Sequence, residues 1–402
     1  MQGFSYVDSR ISYGSMTLSP AFSPDSAGAL AGPAWLQARR REAAERVAAT
    51  AWPTAEDELW RYSRIDQLDL SAMSVGLADT SVESGDGFVV EIDPDTWCSI
   101  MASPLDLFAD LNNAFSLAPI VIRVPRGKAA AAPIVITHRL PAGVASFPRL
   151  IVDAGENAEV TIIEQFVGAS QGLVAPVMEL RAAQSARVRY QAVNELERDA
   201  WLIANQISRS ERDSTTVLAT VALGGGYARV RTDARLLGQG AHGEQIGVSF
   251  GEGDQMLDLR VTQTHAAPKT TSDLLFKGAV QDRARSVYTG LIHIEKDARG
   301  ARAFQTNRNL KLSSEAWADS VPNLDIENND VKCSHASTVG PIDEEQRFYL
   351  ESRGIPPEIA DRLIVLGFFD EVIDKLPAQL LSAELRAEVA GKLDRRPVEV
   401  SA

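Results

Sequence analysis

Between Ala118 and Phe304 the chain is a succession of short runs with strand-like alternation, separated by turn residues and interrupted by no convincing helix. APIVIRV, AEVTIIEQFV, ARVRYQAV and QMLDLRVTQTH are among the clearest. In the third of these, Val188, Tyr190 and Ala192 alternate with Arg189 and Gln191, so one face of the strand is buried and the other is wet. A flat sheet built from so many strands would expose long edges, which leaves a closed barrel, a sandwich or a solenoid. Hairpin architectures need tight reversals, yet no Asn-Gly or Asp-Gly dipeptide joins adjacent runs, Asp86-Gly87 lying upstream of the β-rich region. The expectation is a mainly β fold: a right-handed parallel β-helix over residues 116–340, whose coils turn corners and do not reverse. Such a solenoid ends in a strand edge that must be capped or paired.

The flanks have other periods. Residues 1–32, rich in Ser, Gly, Ala and Pro, read as a mobile tail. Residues 33–115 read as an N-terminal helical and mixed region. A helix starts at Pro33 and stops at Trp52-Pro53, with Arg39, Arg40, Arg41 and Arg46 set among Glu42 and Glu45 as a solvated face. ELWRYSRID places Trp60 and Tyr62 on one side of an extended run, as packing anchors. SPLDLFADLNNAF reads as a helix with Ser103 as cap and Pro104 in its first turn, and Cys98 as a small buried hydrophobe. Residues 341–402 read as a helical domain. Its first helix has Asp343, Glu344 and Glu345 at the start and Gly354 as the stop. The helices from Pro357 to Leu376 carry Ile359, Leu363, Leu366 and Val372, more apolar surface than three short helices can bury among themselves. They therefore dock on the β body or on another protein.

A formal net charge of −14 disfavours nucleic acid and anionic membrane as partners. MQGFSYVDSRISYGS lacks the basic and apolar regions of a secretory signal, and no eighteen apolar residues run together, so a cytoplasmic protein is expected. Two cysteines cannot form a disulfide framework, nor supply the four ligands of an iron-sulfur cluster. Gly127-Lys128 and Gly224-Gly225-Gly226 lack the rest of a phosphate-binding loop, so ATP binding by this chain alone is not expected. GxSxG and HExxH are missing as well, and no pair of carboxylates stands out.

The chemistry concentrates in residues 321–341, VPNLDIENNDVKCSHASTVGP. If Asp330 to His335 is extended, Val331, Cys333 and His335 share one face. A thiolate and an imidazole can ligate iron, zinc or copper, or act as nucleophile and base. Two residues complete neither job. His138, His242, His265 and His293 lack a second ligand at metal spacing and read as surface or hydrogen-bonded histidines.

TTSDLLFKGAV, SVYTG, AFQTNRNLKLS and VKCSHASTVGPIDEEQRFYLESRGI, with the upstream ELWRYSRID, resemble the SufB/SufD family of iron-sulfur cluster assembly scaffolds. The joint occurrence of the NRNL and DVKCSH blocks is the specific part, and the chain is more similar to SufD than to the longer, cysteine-richer SufB. The resemblance implies a β-helix between helical regions, and a heterodimer in which the β-helix ends of SufD and SufB pair. It also implies a SufC ATPase docked on the C-terminal helices from Pro357 to Leu376. His335 would be a neutral imidazole ligand and Cys333 an auxiliary thiolate to a nascent iron-sulfur cluster shared with SufB and not held stably by this chain alone. The subunit would be non-catalytic. The chain departs from the family at Ala336 and Ser337, where a glycine followed by an alanine is common. Two alternatives are a Cys333–His335 nucleophilic enzyme on a β-solenoid and a carbohydrate-binding β-solenoid.

Overall fold

The structure, a computed structural model, describes residues 20–85, 87–168 and 171–395. From Ile120 onward the chain alternates between two sheets whose strands pair in parallel and advances by one coil with each return, which builds the expected parallel β-helix with helices at both ends of the sequence. Asp79–Glu83 and Val89–Val90 add an antiparallel strand to the first edge of each sheet. Within one sheet Arg187 pairs with Glu159 below it and Thr215 above it, and the same column later runs through Thr271, Arg302 and Lys332. A coil thus takes about 30 residues, within the usual range for solenoid repeats. Inward positions such as Val152, Ile162, Leu180, Val188, Leu218 and Leu257 interdigitate between the sheets as one core.

The corners explain why no hairpin signal was needed. Asn157, Ser185, Asp213, Gly240, Lys269 and Gly300 all have positive φ, and each lies two residues before a strand of the same sheet. Each donates its N–H to a carbonyl of the next coil, as Asn157 does to Gln184 at 3.0 Å and Gly300 to Asp330 at 2.7 Å. A left-handed residue at the same place in each coil turns the chain without reversing it. Gly224-Gly225-Gly226 is a different corner, leading into Tyr227–Leu236 of the other sheet, donating back to the Asn194, Leu196 and Ala200 carbonyls of the preceding coil and packed against the backbone of Leu196 and Arg198.

The N-terminal layer covers one sheet and corrects several expectations. Of the expected tail, residues 1–19 lie outside the described residues, but Pro20–Phe22 and Pro24–Ala29 are helical. Ser23 caps Pro24–Ala29, and Phe22 is buried edge-on against Phe115 at 5.4 Å. Ala34–Ala49 is helical as expected, yet its arginines are not all solvated. Arg40 is fully buried, donating to the Ala31 and Ser116 carbonyls, and Arg46 pairs with Asp110 at 2.7 Å. The third helix begins at Leu107 and not at Ser103. Asp106 caps it by accepting from Ala109 N, and Pro104 lies outside it. Trp60 and Tyr62 lie on a tight turn and not on an extended run, because Tyr62 adopts φ +68°. Trp60 is buried under the Arg229 guanidinium at 4.1 Å, whereas Tyr62 packs on Trp317 at 5.6 Å.

Two buried arginines fasten this layer. Arg149 pairs with Glu179, donates to Asn112 and Asn113, and stacks on Trp97 at 4.4 Å, while Glu179 accepts the backbone N–H of Ile100 and Met101. Arg229 pairs with Asp258 and donates to the Leu59 carbonyl at 2.6 Å. On the opposite sheet Pro357–Ile373 and Ser382–Asp394 bury Val365, Phe369, Val372, Leu385 and Val389 against Val217, Val248 and Phe250. The helices therefore dock on the β body.

Removing one partner of a fully buried pair strands the other charge. Arg149→Met is expected to cost about 3–5 kcal/mol in urea unfolding, whereas Arg149→Met with Glu179→Leu should recover part of that loss. Equal stability of the two variants would contradict the fastening role.

Candidate functional site

The two sheets end at the same place. Trp317–Ile326 is the last strand of one and Lys332–Gly340 the last strand of the other, so both present unpaired edges. Cys333 and His335 lie on the second of these, extended as expected. Register shows where they point. Cys333 sits on Ala303, His335 on Gln305 and Ser337 on Asn307, all three lower residues being buried inward-facing positions. Across the lumen Ser320 sits on Tyr288, Pro322 on Gly290 and Leu324 on Ile292. Ser337 Oγ donates to Ser320 Oγ at 2.7 Å, which ties the two edges together over the lumen. Pro322 is at home here, since an edge strand tolerates a missing donor.

The inward columns therefore continue into the last coil, where nothing lies above them. Cys333 is half-buried beside Ile292, Ile294, Ala301 and Ala303, while His335 and Ser337 are exposed. Burial pushes the Cys333 thiol above its ordinary range, so in the chain alone it is a neutral thiol. No hydrogen bond joins Cys333 to His335 among the described residues, which gives a nucleophile-and-base reading no geometric support. Among the described residues no three His, Cys, Asp or Glu side chains come close enough to hold a metal ion. The expected departure at Ala336 is harmless to the backbone: Ala336 is ordinary strand beside Thr306, and Ser337 makes the bridge to Ser320.

The other histidines are held by protein partners. His138 lies in the lumen between Thr80 Oγ1 at 2.9 Å and Glu164 at 3.0 Å, and Tyr190 donates to the same carboxylate. His265 is wholly buried between Thr270 Oγ1 at 2.8 Å and Ser272 Oγ at 2.9 Å, and burial pushes its pKa down to about 4. His242 bonds Thr271 and Glu244, and His293 bonds Asp325. Cys98, the other thiol, is partly buried, contacts Arg149 at 3.3 Å and Asn113 at 3.4 Å, and has positive φ; burial raises it too.

Ile359, Leu363, Phe348 and Tyr349 remain exposed on the C-terminal helices, although the opposite face of Pro357–Ile373 is buried on the sheet. Sequence reasoning did not single out Gln305 or Ser320, and met Ser337 only as a departure from the family pattern. The signal was there: Gln305 lies one coil before His335, a relation visible only once the repeat length is known.

A family model described as SUF system FeS cluster assembly, SufBD core domain, matches residues 136–368. An iron-sulfur cluster assembly SufBD family protein of Mycobacterium tuberculosis (strain H37Rv) is 32% identical over 358 residues, covering 85% of this chain and 89% of the relative. A SufBD family protein of Mycobacterium leprae is 32% identical over 356 residues, covering 85% and 90%. The iron-sulfur cluster assembly protein SufD of Escherichia coli K12 is 27% identical over 387 residues, covering 87% and 91%.

His265 sets a pH dependence of stability. Its folded pKa lies below the unfolded value, so its contribution is complete above about 6.5 and is lost as pH falls toward 4. The loss should reach about 3 kcal/mol by pH 4, and urea titrations of His265→Gln should show that part of the acid slope removed.

Proposed function

The chain belongs to the SufBD family of iron-sulfur cluster assembly proteins, and from that premise we propose that it is a SufD-type, non-catalytic scaffold subunit. It pairs its solenoid end with a SufB chain and holds part of a nascent cluster at the junction. The observation that carries this reading is the inward column that ends uncovered at Cys333, His335 and Ser337, flanked by two unpaired strands carrying exposed Val321, Ile326 and Val339. A partner that continued both sheets would satisfy the edges and roof the column in one step. Two ligand-type side chains without a third beside them among the described residues also suit a site whose remaining ligands, and whose sulfur-accepting thiolate, come from the other chain.

His335 serves as a neutral imidazole ligand to the cluster. Cys333 serves as an auxiliary thiolate once metal displaces its proton, because a thiol must ionise to ligate. The ATPase of the system, SufC, docks on the helices from Pro357 to Leu376 through the exposed strip that includes Ile359 and Leu363, and its hydrolysis cycle changes the shape of the junction.

Two experiments test this. In a complex reconstituted from this chain, a SufB and a SufC, His335→Ala should lose most of the bound iron and acid-labile sulfide while the complex still assembles; full cluster content would remove His335 as ligand. Ile359→Glu with Leu363→Glu should abolish co-purification of the ATPase while leaving the pairing with SufB intact, as read by size-exclusion chromatography. Retention of the ATPase would move its dock elsewhere.

A further inference from the structure

Directly below His335, Gln305 is 1% exposed, yet neither its carboxamide oxygen nor its nitrogen has a partner. It is the one buried glutamine among the described residues left unpartnered at both atoms. Elsewhere in the lumen inward amides find partners: Gln245 donates to Gln263 at 3.0 Å, Gln206 accepts from Thr232 at 3.0 Å, and Asn309 donates to Asn307 at 2.7 Å. The Tyr288 hydroxyl, equally buried, is also unpartnered. Both groups converge over Gly290, where an added Cβ would lie 2.4 Å from Gln305 Nε2 and 2.7 Å from the Tyr288 oxygen. The glycine is needed for their close approach. Burying such groups unpartnered costs about 1–3 kcal/mol each, so the pair is an unusual thing to place one coil below the uncovered end, with Gln305 directly under the exposed His335 and Tyr288 under Ser320.

Resting on the reading of His335 as a ligand, we propose that Gln305 is its positioning residue and that Tyr288 steers Gln305. Neighbouring inward residues of parallel strands stand about 4.8 Å apart, a span that a three-torsion carboxamide bridges without backbone movement. The Gln305 oxygen accepts the N–H of the His335 ring, and its NH2 turns to the Tyr288 hydroxyl. With one ring nitrogen tied down as a donor, the other carries its lone pair in a fixed direction, away from the lumen floor and toward the uncovered end. An amide suits this role better than a carboxylate. A carboxylate would favour the imidazolium, which cannot bind metal, whereas a neutral acceptor fixes the ring and leaves it a ligand. Ser337 and Ser320, bonded to each other, stand beside the ring and are already engaged.

The test reads the ring itself and needs no cluster. The chain has five histidines, so in the full chain labelled with 15N-histidine, His335→Asn assigns the His335 signals in a two-bond 1H–15N correlation spectrum at pH 8. Wild type should show one tautomer. Gln305→Met, close in shape but without an acceptor, should show the mixture of tautomers of free imidazole, and Gln305→Glu, which keeps the acceptor, should restore the single form. Tyr288→Phe should broaden the preference without abolishing it. A role limited to packing would move unfolding midpoints but not the tautomer. Mixed tautomers in wild type, or a single one in Gln305→Met, overturn the proposal. In the assembled complex Gln305→Met should lower iron affinity about 10–100-fold, the usual effect of losing such a partner. The two readings fail separately: a single tautomer that depends on Gln305, with full cluster content in His335→Ala, would keep the positioning and discard the ligand.

Discussion

A parallel coil can stack in one direction only, and its stack must stop. Inside the solenoid each inward side chain is covered by the residue one coil before and one coil after, at the spacing of hydrogen-bonded strands. That covering makes Ala303, Gln305 and Asn307 buried, and its loss one coil later exposes His335 and Ser337 at equivalent places. Nothing special about the last strand is needed to uncover the column. The same fold rule that buries a column everywhere else opens it here, and sequence decides only which atoms stand in the opening.

The flanking layers leave that opening alone. Buried ion pairs at Arg149 and Arg229 fix the N-terminal helices to the outer face of one sheet, and Pro357–Ile373 lies on the outer face of the other. Lys277 reaches from the sheet to Glu371 and the Phe368 carbonyl, and Lys392 reaches back to Glu252. Both layers hold to outward-facing side chains, so neither competes with the inward columns. Pro357–Ile373 thus presents its second face, with Ile359 and Leu363, while its first is locked to the strands. A partner that moved this helix would act on the sheet whose edge carries Cys333 and His335.

The β-helix was legible because alternation in residues 118–304 coincided with a lack of tight reversals. The coil length was not legible, because the corners use Asn157, Ser185, Asp213 and Lys269 as readily as glycine, and single residues of such varied type make no motif. Without the coil length, Gln305 and His335 are merely thirty positions apart. The placement of Cys333 and His335 on one extended face was legible from their spacing, since a period of two is all it requires. Arg40 misled for the opposite reason: a run of arginines and glutamates reads as a wet face, and only the tertiary fold brings the Ser116 carbonyl to it. The turn at Tyr62 likewise depends on a positive φ that tyrosine seldom adopts, so alternation gave the wrong direction for Trp60 and Tyr62.

On the proposed pairing, the state of Cys333 and His335 bears on how a half-site would avoid binding metal before a partner arrives. The Cys333 thiol sits among Ile292, Ala301 and Ala303, and burial holds it protonated. A metal ion approaching the chain alone would have to displace that proton with help from one imidazole only, and affinity would fall steeply with acidity. Covering the end with a second chain that brings further thiolates and excludes water changes both quantities. It adds ligands, and the charge of a bound metal ion reverses the effect of burial by favouring the thiolate. Under that proposal metal capture and edge pairing would be one equilibrium: each would make the other more favourable, because the same apolar surroundings that hinder ionisation in the single chain would strengthen the metal–thiolate attraction once the site is complete.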